Sequence, residues 1–201
     1  MQNKSEINEP LLWKKFLGGD QNSLSKIYLN NINALYDFGC KFSVDKNLVK
    51  DCIQDIFITF IQTRTKLSDT QHVKGYLLKS LKRKILMELI KKNKFEEIIE
   101  GDYRFEIDFQ NIINIENEND KHSLKTCAVQ SAIQSLTNRQ KEALYLRFNQ
   151  GLNHKEIAQV LHLTEQSSRA LISRAIQKIR DVIHRDKKNI ETAQLFHFGR
   201  K

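Results

Sequence analysis

Basic side chains are concentrated in one stretch of the chain, where they are suited to bind an anionic partner. Residues 72–94 contain eight Lys or Arg and a single acidic residue, Glu88. A solvated surface helix usually mixes both signs, so this imbalance indicates phosphate contacts, and Tyr76 can stack on an unpaired base. Basic amphipathic helices also bind acidic lipid, but an apolar row that another helix can cover favours nucleic acid over a membrane surface.

A second candidate site lies in residues 153–180, where two helical patterns are separated by a short turn. This is the outline of a helix-turn-helix, and the small Ala158 stands where the two helices must approach closely. If the second helix lies in a major groove, its Arg and Gln side chains suit base edges, and its Ser and Lys side chains suit phosphates. The alternative is a helical hairpin whose charged face is only solvated. The candidate duplex contacts are Thr164, Gln166, Ser167, Arg169, Ser173, Arg174 and Lys178.

No residue pattern in the sequence supports catalysis. The six histidines form no H-E-x-x-H pair, and the glycines are not spaced to cradle a phosphate. His154 and His162 can share a helix face, but surface or turn positions are the commoner role for such histidines. Asp51 and Asp55 resemble an acid pair, although nothing near them in the sequence raises one pKa or excludes water. We therefore predict no enzyme, no metal and no cofactor, and a solvated or partner-binding role for the acid pair.

The elements that position these residues are predicted to be helices throughout. One proline and seven glycines are too few for the turns of a β-sandwich or barrel, which favours an all-α fold. Apolar residues recur at three- and four-residue steps over roughly 21–43, 45–63 and 72–93, which predicts three amphipathic helices. The helix over 45–63 has two neighbouring apolar rows, formed by Leu48, Cys52, Ile56 and Phe60 and by Val49, Ile53, Phe57 and Ile61.

Capping patterns define the C-terminal helices. Thr137 and Gln140 match a capping box at a helix start, and Gly151 suits the left-handed turn that follows the helix. Asn153 offers an N-cap for a helix over 154–161, with Glu156 at its third position. A longer helix is predicted over about 165–184.

Charge divides the chain into three parts. The 201 residues carry 33 Lys and Arg and 24 Asp and Glu, a net charge of +9 with a pI near 9.4. Residues 1–94 and 123–201 each carry +8, whereas 95–122 carry −7 and show no sustained apolar period. We predict helical domains at 1–94 and 123–188, a mostly unstructured acidic linker at 95–122 that tethers them, and a tail at 189–201.

Cysteine usage and apolar segment length indicate the compartment. Cys40, Cys52 and Cys127 are widely spaced and form no C-x-x-C pair, which predicts neither a disulfide framework nor a zinc site. The N-terminus lacks the apolar core of a signal peptide, and no apolar stretch approaches the ~20 residues that cross a bilayer. We expect a cytoplasmic, reduced protein without membrane insertion.

Two motifs, in this order and at this distance, resemble one family. Region 2 of bacterial RNA polymerase sigma factors is similar to LVKDCIQDIFITFIQ (48–62) followed by HVKGYLLKSLKRKILMELIKKNK (72–94). Region 4 is similar to AIQSLTNRQKEALYLRFNQGLNHKEIAQVLHLTEQSSRALISRAIQKIR (132–180). An acidic linker without a third domain resembles the small extracytoplasmic-function (ECF) subgroup. The resemblance covers about 11–185 and implies an initiation subunit that binds core RNA polymerase and directs it to promoter DNA.

The resemblance also implies roles for individual residues. The D-x-x-Q-[DE]-x-F element, here Asp51, Gln54, Asp55 and Phe57, would bind the polymerase clamp helices, with Phe57 largely structural. The basic helix would hold the melted strand of the downstream promoter element, and the helix-turn-helix would read the upstream element as duplex. An anti-sigma factor is implied as a further partner. The candidate single-strand contacts are Lys74, Tyr76, Lys79, Lys82, Arg83, Lys91 and Lys92.

Five positions depart from the family pattern. Arg83 stands where Asn is frequent, and Tyr76 where Trp is frequent. His162 replaces the glycine common in the turn, which costs more than Gly if its φ is positive. Ala170 and Leu171 stand where basic or small polar residues are common, so the base-reading set is altered. Two other interpretations remain. One is a stand-alone transcriptional regulator that uses 153–180, with the N-terminal half as a sensor or dimerisation module, and the other is a helical adaptor that binds no nucleic acid.

Overall fold

The computed structural model describes residues 8–93, 103–106 and 130–198, with side chains as far as Arg185 in the last helix. Within those ranges the chain is helical and has no strand, which confirms the predicted all-α fold. A 3-10 turn (Arg64–Lys66) follows the third helix, and residues 130–134 form a further helical turn. The helices are α1 (Glu9–Leu17), α2 (Gln21–Gly39), α3 (Lys46–Thr63), α4 (Val73–Asn93), α5 (Asn138–Phe148), α6 (His154–Leu161) and α7 (Glu165–Phe198).

Helices α1 to α4 form an N-terminal bundle in which α2 packs on the other three. Side-chain oxygens of Asn8, Asp20 and Asp45 accept backbone N–H groups at the starts of α1, α2 and α3. The indole of Trp13 is fully buried, and its N–H donates to the carbonyl of Ser68 at 3.1 Å. That bond fixes α1 to the turn that leads into α4.

The amphipathic helices are close to their predicted bounds, with two differences. On α3 the first predicted apolar row is buried, but Ile61 of the second row is 50% exposed because it lies at the edge of the packed face. Helix α2 ends at Gly39 rather than near 43. At Gly39 the bundle is tight, since a Cβ there would lie 2.5 Å from Cγ1 of Val49.

Helices α5 to α7 form the C-terminal unit, and their capping follows the sequence signals. Both predicted capping boxes are present, with Thr137 and Gln140 at the start of α5 and Asn153 and Glu156 at the start of α6. Gly151 has a φ of +70°, the left-handed conformation expected in the turn after α5. Helix α7 continues past the predicted end near 184 to Phe198. No Pro or Gly lies between residues 165 and 198 to end it earlier.

The two halves are packed against each other instead of being held apart. Helix α4 lies against α6, and the apolar core continues from the bundle into α5 through Phe38, Phe105 and Tyr145. Of the predicted linker, residues 103–106 lie within this contact, while 95–102 and 107–122 are outside the described residues. No helix in the described ranges is both long and apolar enough to span a membrane.

Candidate nucleic-acid interface

The turn between α6 and α7 sets the geometry of the helix-turn-helix. His162 ends α6 in the left-handed region, with φ 52° and ψ 51°, and the N–H of Leu163 donates to the carbonyl of Ala158 at 2.8 Å. Arg139 of α5 donates to the carbonyl of Leu161 at 3.0 Å. These bonds satisfy the last carbonyls of α6 and fix the direction in which α7 leaves the turn.

The predicted duplex contacts lie along the first turns of α7 and are largely open to solvent. Ser167 is half-buried, and its N–H donates to the Thr164 hydroxyl at 3.1 Å, which caps the helix. Lys178 donates to the carbonyl of Ser135. The exposed members of the set are Thr164, Gln166, Arg169, Ser173, Arg174 and Lys178.

Local charges leave this face basic at neutral pH. Arg169 lies 2.6 Å from the Glu165 carboxylate, and that hydrogen bond holds the pKa of Glu165 below its usual range. Burial, reinforced by Arg169 and Arg147, lowers the pKa of His154, so this imidazole is neutral at pH 7. Exposed ion pairs of this kind contribute little to stability, so Arg169 can exchange Glu165 for a DNA contact at small cost.

The predicted single-strand contacts on α4 have very different surroundings. Lys74 donates to the carbonyl of Gln150 at 2.8 Å, and Lys82 is buried. The ring of Tyr76 packs within the bundle, with its centroid 5.3 Å from that of Trp13. Lys79 is half-buried. The exposed members of the set are Arg83, Lys91 and Lys92.

Lys82 belongs to a buried polar cluster that joins the two halves. Its ammonium lies 2.9 Å from Oε2 of Glu142 on α5 and 3.2 Å from the hydroxyl of Tyr103, which also donates to that carboxylate. Glu142 has no exposed surface, and burial raises its pKa to about 7 against the opposing effect of the Lys82 charge. A cation suited to bind phosphate is therefore occupied by a carboxylate of the same chain.

The predicted polymerase contacts lie on the outer face of α3. Asp51 and Gln54 are exposed, and the half-exposed Asp55 carboxylate lies 2.7 Å from the Lys84 ammonium. This hydrogen bond is the main cause of the raised pKa of Lys84. Phe57 is buried, with its ring edge-on to Tyr28 at 5.1 Å.

Sequence reasoning missed the residues that join the halves. Tyr103, Phe105 and Glu142 are at most 4% exposed, yet the first two belong to the predicted linker. Two aromatic residues two positions apart in an acidic, polar segment are a local signal that could have marked them. Glu142 has no such signal, because its burial depends on residues distant in sequence. Among the described residues, no cluster of His, Cys, Asp and Glu is arranged to hold a metal ion.

Comparison with known proteins finds relatives both for the helix-turn-helix unit and for the chain as a whole. Residues 128–179 match the family described as Sigma-70, region 4, and contain α5, α6 and α7 as far as residue 179. The chain is 25% identical over 166 residues to the ECF RNA polymerase sigma factor SigM of Bacillus subtilis (strain 168). The alignment covers 81% of this chain and 96% of SigM. The C-terminal half of the chain is therefore similar to sigma-70 region 4, and the chain as a whole is similar to an ECF sigma factor.

Solved structures share the fold of this chain. CnrH, in complex with the cytosolic domain of CnrY, aligns with a TM-score of 0.58 and 17% identity, covering 89% of this chain and 99% of that one. The sigma factor RpoE of Bartonella quintana, in complex with the anti-sigma factor NepR, aligns with a TM-score of 0.52 and 16% identity over 80% and 96% of the two chains. At this identity the likeness concerns the fold alone.

Proposed function

We propose that this chain is a sigma factor that binds core RNA polymerase, directs it to specific promoters and assists promoter melting. The observation that carries the proposal is the pairing of two basic elements in one chain. One is an exposed helix-turn-helix with Gln166 and Arg169 on its second helix, and the other is the basic helix α4. Similarity to an ECF sigma factor over 81% of the chain supports the combination.

The helix-turn-helix is assigned to the upstream promoter element as duplex. Arg and Gln side chains can pair with base edges in a major groove, whereas Ser and Lys side chains hold phosphates. Arg169, near the start of α7, is 62% exposed, so it can reach a base edge without unfolding any structure. Ser173 and Lys178 follow along the helix as phosphate contacts.

Helix α4 is assigned to the melted strand of the downstream element. Arg83, Lys91 and Lys92 are exposed and offer the electrostatic attraction that single-strand binding needs. Lys91 and Lys92 pair with Glu88 and Asp45 at 2.9 and 2.8 Å, and these exposed pairs can be exchanged for phosphates at little cost.

The outer face of α3 is assigned to core polymerase. Asp51 and Asp55 supply negative charge there, and Ile58 is 50% exposed beside them. An apolar side chain rimmed by charges is typical of protein interfaces. The domains are assigned as 1–94 for polymerase and melted DNA and 123–188 for duplex DNA.

An anti-sigma factor is proposed as the inhibitory partner. The solved sigma factor RpoE is held by the anti-sigma factor NepR and shares its fold with this chain. The two basic halves offer complementary charge to an acidic partner.

The test is transcription with purified components. Core polymerase is retained on the full-length sigma factor in a pull-down, and the complex is used for run-off transcription on genomic DNA. Asp55→Lys should reduce retention because it reverses a charge on the outer face of α3. The matched control is Asp181→Lys, which makes the same charge change at an exposed position of α7.

The outcomes separate the competing functions. Retention that depends on Asp55 but not on Asp181, together with promoter-specific transcripts, supports the sigma-factor role. Tight duplex binding by a dimer without polymerase would favour the stand-alone regulator instead. If affinity for promoter DNA did not change with salt, phosphate contacts would be absent, and the adaptor interpretation would be preferred.

A further inference from the structure

Residues 103–106 connect the two halves through their backbone. The N–H of Glu106 donates to the carbonyl of Lys41, just beyond α2, at 2.9 Å. The N–H of Phe105 donates to Oδ1 of Asn138, the first residue of α5, at 3.3 Å. A four-residue piece of the acidic linker is therefore fastened to the N-terminal bundle on one side and to the C-terminal unit on the other.

The side chain of Phe105 fills an aromatic groove between the halves. It has no exposed surface, and its ring lies edge-on to Phe42 at 5.1 Å and to Tyr145 at 5.8 Å. Phe38 completes the groove at 6.1 Å. Burying an aromatic ring against rings from both halves stabilises their contact, because the apolar area returns to water if they separate.

The polar cluster lies beside this groove. Tyr103 brings its hydroxyl to the carboxylate of Glu142, which also receives the ammonium of Lys82 at 2.9 Å. The ammonium also lies over the Tyr103 ring, 4.5 Å from its centroid. Three elements, α4, the linker and α5, thus meet at one buried charge pair.

The contact continues along α4 to its first turn. Lys74 donates to the carbonyl of Gln150 at 2.8 Å, and Nδ1 of His72 lies 3.0 Å from Oε1 of Glu156. At Gly75, α4 is in van der Waals contact with α6, because a Cβ there would lie 3.7 Å from Cβ of Glu156. Lys74 and Lys82, two of the residues predicted to contact the melted DNA strand, are therefore hydrogen-bonded to residues of the C-terminal unit.

We propose that Tyr103, Phe105 and Glu142 form a clasp that holds this chain closed, with Lys74 and Lys82 withheld from promoter DNA. The occupant of the aromatic groove is the chain's own segment 103–106. The role of Lys74 and Lys82 rests on the proposed function, whereas the closed arrangement does not. Binding the melted strand through these two lysines requires the segment to leave and the halves to separate.

A disulfide across the closed contact tests the consequence for DNA. A Cβ at Gly75 would lie 3.7 Å from Cβ of Glu156, within the range of natural disulfides, which makes Gly75→Cys/Glu156→Cys the pair to oxidise. The native cysteines at 40, 52 and 127 are replaced by alanine in the parent chain. Run-off transcription with core polymerase is compared before and after oxidation, with each single-cysteine variant as a control.

We expect oxidation to reduce transcription by about tenfold or more, because only the open fraction can bind the melted strand, and a reductant to restore it. Equal transcription by the oxidised and reduced forms would overturn the clasp. If the cysteine-free parent and the reduced variant are both inactive, the proposed function fails, and the clasp is then judged by the shape of the chain in solution.

Small-angle scattering of the free full-length chain measures that shape. Phe105→Ala should raise the radius of gyration, whereas Phe148→Ala, the same change at a 67% exposed ring, should leave it unchanged. Circular dichroism must show unchanged helix content, and if Phe105→Ala loses helix, Tyr103→Phe provides the same comparison. Equal radii for the native chain and a folded clasp variant would show that no clasp exists.

Discussion

Two basic helices of this chain differ in how available their charges are. Arg169, at the start of α7, lies in water and pairs only with Glu165 on its own helix. On α4, Lys74 and Lys82 are engaged by α5, the linker and the turn before α6, while Arg83 is exposed. The basic side chain of Arg169 on α7 is accessible to a partner, whereas some of the basic side chains of α4 are covered by other parts of the chain.

This difference shows that the net charge of a segment does not tell which of its basic side chains are free to bind an anionic partner. Both halves carry +8, and the two sets of basic residues look alike in sequence. An exposed pair such as Arg169 and Glu165 exchanges partners freely, whereas a buried pair such as Lys82 and Glu142 separates only if its surroundings open. Three experiments test this contrast, and a fourth concerns the turn that orients α7.

The largest effect is expected from Lys82→Met. Above pH 7, where the Glu142 carboxyl of the native chain is ionised, the substitution removes its counter-charge, which costs up to about 3–5 kcal/mol unless the carboxyl binds a proton or the halves separate and hydrate it. Urea unfolding should show the loss, and amide exchange in α5 should become faster. The control is Lys91→Met, which removes an exposed pair with Glu88 and should change stability by less than about 1 kcal/mol.

A double variant sharpens this result. Lys82→Met with Glu142→Leu replaces the charge pair by apolar side chains and should recover most of the stability, because no uncompensated charge remains. Equal losses for Lys82→Met and Lys91→Met would contradict the contrast between buried and exposed cations.

The next effect is a pH dependence caused by Glu142. Burial raises the pKa of this carboxyl from 4.5 to about 7, so between these values the native chain binds more protons than the unfolded chain. Its contribution to stability is fully present below about pH 4.5 and is lost as the pH rises through 7. At about 1.4 kcal/mol per pKa unit, the full loss is roughly 3.5 kcal/mol.

Unfolding free energies measured from pH 5 to pH 8 check this expectation. Glu142→Gln has no titrating carboxyl and should show a flatter profile than the native chain, and the difference between the profiles isolates Glu142. Parallel profiles would mean that the carboxyl is hydrated and that the two halves are apart in solution.

A smaller effect is expected at the duplex contacts. Arg169→Ala should weaken binding to promoter duplex by about 1–3 kcal/mol and relax the preference for one base pair, because it removes a base-edge contact. Competition between promoter and random duplex at fixed salt measures both changes. Folding stability should remain the same, since Arg169 pairs only with exposed Glu165.

The matched control for Arg169 lies on the same helix. Arg185→Ala makes the same change at an exposed position about 24 Å further along α7. It should lower affinity for promoter and random duplex equally or not at all. A preference that survived Arg169→Ala would remove this residue from the base-reading set.

Local signals in the sequence predicted the helices and the form of the helix-turn-helix. The capping boxes at Thr137 and Asn153 need only residues three positions apart, so they can be read directly. The burial of Lys82 could not be predicted, because its partner Glu142 is 60 residues away and nothing near Lys82 distinguishes it from exposed Lys91. For Phe105 the sequence carries a local signal, an aromatic residue two positions after Tyr103 in a polar segment, but it does not show the groove, which is built from both halves.

The smallest effect concerns the turn that orients α7. His162 is the single non-glycine residue with positive φ in the described ranges, and its Cβ crowds the backbone in that conformation. His162→Gly should raise stability by about 0.5–1 kcal/mol, because relief of that crowding exceeds the greater chain entropy that glycine adds to the unfolded state. His162→Ala keeps the Cβ and should give no such gain, which thermal unfolding can resolve. A gain from both substitutions would place the cost in the imidazole ring instead of the backbone, and duplex binding should change with neither, because His162 lies outside the proposed contact set.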